Sequence, residues 1–165
     1  MASNQGTAFE RRIAPQLTLW KRQGRAKIEK VDPPSLTRGF KTILLPNPFL
    51  DYAGTWTEMG GRTIIVEAKH TDKSRLDINR KGGITEKQWS DLKKWKAAGA
   101  ECFILWEHPT SLDPFELRIL TIEIAAAACE KGGRVSIPWH EALKVQRGTG
   151  MNRFDWLTTA KHLTE

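Results

Sequence analysis

Cysteine is scarce. The 165 residues include only Cys102 and Cys129, both set among apolar neighbours (Cys-Phe-Ile-Leu-Trp and Ala-Ala-Ala-Ala-Cys). Thiols in such surroundings behave as small buried hydrophobes, which speaks against a disulfide framework or a zinc site. Long apolar runs are missing too: no stretch approaches the roughly 20 residues needed to cross a bilayer, and the opening Met-Ala-Ser-Asn-Gln-Gly-Thr-Ala-Phe-Glu-Arg-Arg has no signal-peptide core. A cytoplasmic protein with no membrane partner is expected. Repeats and low-complexity tracts are absent, and the length suits one domain, residues 1–165, with a single core. Acidic residues are in deficit, 19 against 26 Lys and Arg, for a formal charge of +7. That balance favours a polyanionic partner, nucleic acid first. Apolar residues at 39% with seven Trp exclude a disordered chain.

Phe9, Ile13, Leu17 and Trp20 share one face of a helix over residues 7–23 that Gly24 ends, with Pro15 expected to kink or divide it. Residues 26–31 alternate like a strand. The proline-rich segment 32–48 carries Arg38 and Lys41 and reads as a projecting loop or short ribbon. Residues 51–57 and 62–69 form a hairpin whose turn uses Gly60 and Gly61. Residues 72–83 read as a polar loop, and 85–98 as a helix opened by a Thr-x-x-Gln capping box. Strands over 101–107 and 115–122, a helix over 122–130, a short strand near Val135, a helical turn from Trp139, a basic segment 144–153 and a last helix from Asp155 follow. Trp89, Trp95 and Trp106 are expected in the core. The elements imply an α/β fold, a mixed sheet of four or five strands flanked by helices.

Chemistry concentrates in Asp51 and in Glu67 and Lys69 of Ile-Ile-Val-Glu-Ala-Lys. Strand alternation puts Glu67 and Lys69 on one face, and a turn centred near Met59 and Gly60 sets Asp51 opposite residue 68, beside both. Two carboxylates among apolar neighbours repel and are poorly solvated, so they call for a cation. Hard oxygen ligands suit Mg2+ or Mn2+, which activates water and offsets charge growing on a phosphate; Lys69 is placed to orient or deprotonate that water. A Glu-x-Lys also marks the solvated face of many strands, and it is the link to Asp51 that favours chemistry. Gln88 is the third residue of a helix cap, Glu10 neighbours an apolar helix face, and His70 reads as a strand-end surface residue without a second histidine to join it.

In order, the helix with Phe-Glu, Asp-Tyr-x-Gly, the hairpin, Glu-Ala-Lys, a basic loop, a Gln-x-x-x-Leu helix and a Gly-x-x-Cys-Phe-Ile strand resemble the RecU-type Holliday-junction resolvases of the PD-(D/E)XK nuclease superfamily. The resemblance covers residues 4–107. It implies a restriction-endonuclease-like core in which Asp51 and Glu67, with the Ala68 carbonyl, bind Mg2+ or Mn2+, Lys69 is the catalytic lysine, and Glu10 and Gln88 complete the site. Residues 32–48 take the position of a stalk that enters the junction. Phe49 stands where these enzymes often carry a hydroxyl residue, the stalk is short, and residues 108–165 are unmatched.

Arg11, Arg12, Lys73, Arg75, Arg80 and Lys81, with Arg38 and Lys41 of the stalk, are the candidate DNA contacts; Lys144, Arg147 and Arg153 are weaker ones. The expected activity is metal-dependent resolution of four-way DNA junctions by a homodimer making paired nicks. The alternatives are another PD-(D/E)XK nuclease acting on duplex or single strands, and a non-catalytic protein that binds branched DNA.

Overall fold

In the computed structural model the structure describes residues 3–32, 35–38, 41–44, 50–79, 82–132 and 135–165. Helix α1 (Ser3–Gln23) buries Phe9, Ile13 and Trp20 and ends at Gly24, whose φ of +68° is left-handed. It runs unbroken through Pro15, contrary to the expected kink. Pro15 and Arg11 are both exposed, so the carbonyl that loses its hydrogen bond stands on the water-facing side of the helix.

Strand β1 (Lys27–Lys30) pairs antiparallel with β4 (Tyr52–Trp56). Between them, within the proline-rich segment, β2 (Ser35–Arg38) and β3 (Lys41–Leu44) form an antiparallel ribbon with Arg38 across from Lys41. Strand β4 crosses β1 so closely at Gly54 that a Cβ there would stand 1.9 Å from the Lys27 carbonyl oxygen, so only glycine fits. The hairpin from β4 to β5 (Arg62–His70) closes through a 3-10 turn at Thr57–Met59 and left-handed Gly60 and Gly61.

The expected loop after β5 contains a short strand, β6 (Arg75–Asp77), which buries Leu76 and pairs with β9 (Ser136–Pro138). Sequence alternation could not reveal it, because its partner lies about sixty residues on. Helix α2 (Glu86–Ala97) carries the complete capping box of Thr85 and Gln88. Strand β7 (Glu101–Glu107), buried throughout, pairs parallel with β5, and β8 (Leu117–Thr121) pairs antiparallel with β7. Helix α3 (Ile122–Gly132), the two-residue strand β10 (Leu143–Lys144) and helix α4 (Trp156–Thr164), capped by Asp155, complete the chain.

The main sheet has six strands in the order β1-β4-β5-β7-β8-β10, more than the four or five expected. Its mixed α/β architecture is the expected one. Alternating side chains feed two cores. Ile64, Val66, Phe103 and Leu105 pack on the α1 and α4 side with Phe9, Ile13, Trp56 and Trp156, while Ile65, Ile104 and Trp106 pack on the other side with Leu92 and Ala125 of α2 and α3. Trp106 is buried as expected and Trp89 is half-buried, but Trp95 is 40% exposed: α2 turns that ring toward an apolar pocket lined by Val31, Leu50, Ala53 and Ile65. Cys102 is fully buried and Cys129 half-buried, and neither is in a disulfide. No helix among the described residues is long and apolar enough to cross a membrane.

Candidate active site

Strands β5 and β7 run parallel, so their carboxyl ends reach the same end of the sheet, and the site forms there. Ladder pairs such as Tyr52 with Val66 set the hairpin one place off the expected register: continuing it aligns Asp51 with Glu67 rather than with residue 68. The 3-10 turn at Thr57–Met59 causes the offset, because it shifts the hairpin centre to Met59. The convergence survives. Asp51 has just left β4, and its Oδ2 accepts from the Ala68 N–H at 2.9 Å, replacing a ladder carbonyl. The N–H and C=O of one residue leave an extended strand on the same side, so the Ala68 carbonyl also faces the Asp51 side.

Glu67 follows Ile65 onto the α2 face and is completely buried. Its Oε1 accepts from Gln88 Nε2 at 2.5 Å and from Lys69 Nζ at 2.7 Å. The Gln88 carbonyl oxygen accepts from Thr85 N–H at 3.0 Å and from Lys69 Nζ at 3.3 Å. Gln88 therefore serves both as helix cap and as a partner of Glu67 and Lys69, and the capping box delivers its amide to the carboxylate.

Burial pushes the Glu67 carboxyl up to about 7, and the charge of Asp51 pushes the same way, against Lys69. Asp51 is likewise raised, by burial first, against the lowering hydrogen bond from Ala68. Glu67 Oε2 is buried with no hydrogen-bond partner. An orphaned buried oxygen beside a second strained carboxyl is the chemistry a divalent cation relieves, and Asp51, Glu67 and the Ala68 carbonyl are all hard oxygen donors fitted to Mg2+ or Mn2+. No cluster of three or more His, Cys, Asp or Glu side chains that could hold a metal occurs among the described residues.

Glu10 is not brought into hydrogen bonding with either carboxyl. Its Oε2 accepts from Lys30 Nζ at 2.6 Å, yet its charge still reaches Asp51 and Tyr52, raising both; for Tyr52 burial is the larger cause. His70 is not the lone surface residue expected. Its Nδ1 lies 2.7 Å from Glu107 Oε1, and Arg12 holds both oxygens of the same carboxylate, which is 1% exposed at the end of β7. This Arg12–Glu107–His70 cluster went unread. One signal was available: an acid closing an otherwise apolar strand has to be paired.

The other basic candidates divide. Arg11 and Lys73 are exposed. Arg75 is occupied by Ser136, donating to its hydroxyl at 2.8 Å and its carbonyl at 3.0 Å. Arg38 and Lys41 lie on the β2–β3 ribbon, while Arg80 and Lys81 fall outside the described residues. Lys144 pairs with Glu116 and Arg147 with Asp113.

The chain matches the family described as Recombination protein U over residues 4–152. No curated protein matches its sequence. The solved structure of Hjc, a Holliday junction resolvase from the archaeal hyperthermophile Archaeoglobus fulgidus, superposes with a TM-score of 0.52 over 85% of this chain and 96% of its own, at 17% identity, and so shares the fold.

Proposed function

This chain belongs to the Recombination protein U family, and from that premise we propose that it is a divalent-metal-dependent endonuclease that resolves four-way DNA junctions by paired symmetric nicks. That it is a nuclease of the resolvase kind follows from the family and the shared fold. The observation that carries the metal-dependent reading is the buried, partnerless Oε2 of Glu67 beside Asp51, near the carboxyl ends of β5 and β7.

In this reading Asp51, Glu67 and the Ala68 carbonyl hold Mg2+ or Mn2+. The ion supplies Lewis acidity and a neutralising charge at the scissile phosphate. Lys69, anchored by Glu67 and Gln88, keeps its ammonium at the mouth of the site, where it orients the attacking water and offsets charge as the phosphorane forms. Gln88 fixes the Glu67 carboxylate and the lysine together. Glu10 holds Lys30 beside Asp51 and adds negative potential that favours cation entry.

A junction presents two symmetry-related strands, so a homodimer with two such sites is the economical assembly. Branched DNA is then read by shape and backbone, with Arg11 and Lys73 exposed for phosphates and the β2–β3 ribbon, bearing Arg38 and Lys41, as the element that enters the branch point. Residues 1–165 act as one nuclease domain, working in the cytoplasm of a bacterium or of a phage-infected host cell. The test labels each junction strand in turn and maps the cuts. Symmetric nicks in one opposing pair, with a sedimentation mass of two chains, are expected; cutting of a matched linear duplex at equal rate would replace this reading with a general nuclease.

A further inference from the structure

The last third of the chain holds a cationic surface that the site above does not use. The loop after β7 is locked by its own bonds: Thr110 N–H donates to the Asp113 carbonyl at 2.9 Å, and Asp113 Oδ1 accepts from Phe115 N–H at 2.9 Å. The Phe115 ring is thereby set beyond the carboxyl end of β7, packed on the α1 and α4 side of the sheet. Arg12, already joined through Glu107 to His70 next to Lys69, lies 4.8 Å from the centre of this ring. Arg153 lies 5.8 Å from the same ring and 5.7 Å from that of Phe154, and Arg147 stands 5.9 Å from Phe154.

Ion-pair bookkeeping separates these arginines. Glu107 neutralises Arg12 and Asp113 neutralises Arg147, while Asp155 is taken by Arg25 and Glu116 by Arg118 and Lys144. Arg153 is exposed and has no carboxylate within ion-pair distance among the described residues. A guanidinium resting on aromatic faces loses little entropy when it binds, and its N–H edge stays free for a phosphate.

We propose that Arg153, held on Phe115 and Phe154, is a contact for the sugar-phosphate backbone of a DNA arm that leaves the active site past Arg12. The inference rests on the DNA-junction reading above and adds to it a binding surface in the last third of the chain. Backbone rather than unpaired bases is the fitting ligand, because Phe154 is buried and Phe115 half-buried with Arg12 and Arg153 beside it, which leaves little ring surface on which a base could stack.

The test measures junction affinity across salt for full-length protein carrying Asp51→Asn, which separates binding from cutting, with and without Arg153→Gln and Arg153→Lys. Loss of one phosphate contact lowers the slope of log affinity against log salt by about 0.9, so the advantage of the parent over Arg153→Gln shrinks roughly threefold between about 50 and 200 mM salt. Arg153→Lys keeps the charge and the slope. A parental slope in Arg153→Gln, or a slope in Arg153→Lys as low as in Arg153→Gln, overturns the proposal. Failure of the parent itself to prefer the junction over duplex counts against the junction reading and is told apart because it precedes any effect of Arg153. Thermal unfolding of the variants checks that the fold is intact.

Discussion

Removing the charge of Glu67 should make the metal-free protein more stable while abolishing its chemistry. The carboxyl is fully buried and moved from an ordinary 4.5 up to about 7. At about 1.4 kcal/mol per pH decade this amounts to a preference for the neutral form of about 3 kcal/mol, as an order of magnitude. The folded state holds this proton more tightly than the unfolded chain, so the stability it contributes is complete below pH 4.5 and is lost as pH rises to about 7. Asp51, also raised, pushes the same way. In urea unfolding with chelator present, the native protein is therefore expected to lose stability between pH 5 and pH 8, and Glu67→Gln to lose about 3 kcal/mol less. Mg2+ should restore stability to the native protein at pH 8 and do little for the variant. Equal pH slopes for the two proteins would refute the reasoning, since Glu67 would then carry no desolvation strain and give no reason to recruit a cation.

Three further expectations concern single side chains. Lys69→Met should lower cleavage on the order of a hundredfold or more while junction affinity measured with chelator changes little. Gln88→Ala should cost about 1 kcal/mol of thermal stability through the lost capping box and should also slow cleavage, because the same amide holds Glu67 and Lys69. Trp106→Ala should cost about 3–5 kcal/mol, whereas Trp95→Ala, at a ring 40% exposed, should cost under about 1 kcal/mol; chemical denaturation separates them.

How far the sequence could be read follows the range of the interactions involved. Asp51, Glu67 and Lys69 were legible because a hairpin is local: strand period and turn position bring them together without knowledge of anything else. The offset of one place came from a 3-10 turn that glycine content alone does not specify. Gln88 was readable as a cap, and the cap turned out to be what aims it at Glu67. The pairing of Arg12 with Glu107 spans 95 residues, so the strand pattern marks Glu107 as needing a partner but does not identify Arg12. The sheet was undercounted partly because β10 is only two residues long, and β6 was missed because its partner strand is remote. Trp95 shows the limit of helical periodicity: it shares a stripe with Leu92, but α2 lies on the sheet so that this end of the stripe faces an open pocket.

The most direct trial of the central claim is nicking of a labelled four-way junction beside a matched linear duplex, with Mg2+, with Mn2+ and with chelator, by the native protein and by Asp51→Asn. Metal-dependent nicks confined to the junction, and abolished by either the chelator or the substitution, are the predicted result. Junction binding without cleavage under any metal condition, or cleavage that survives Asp51→Asn, would contradict it.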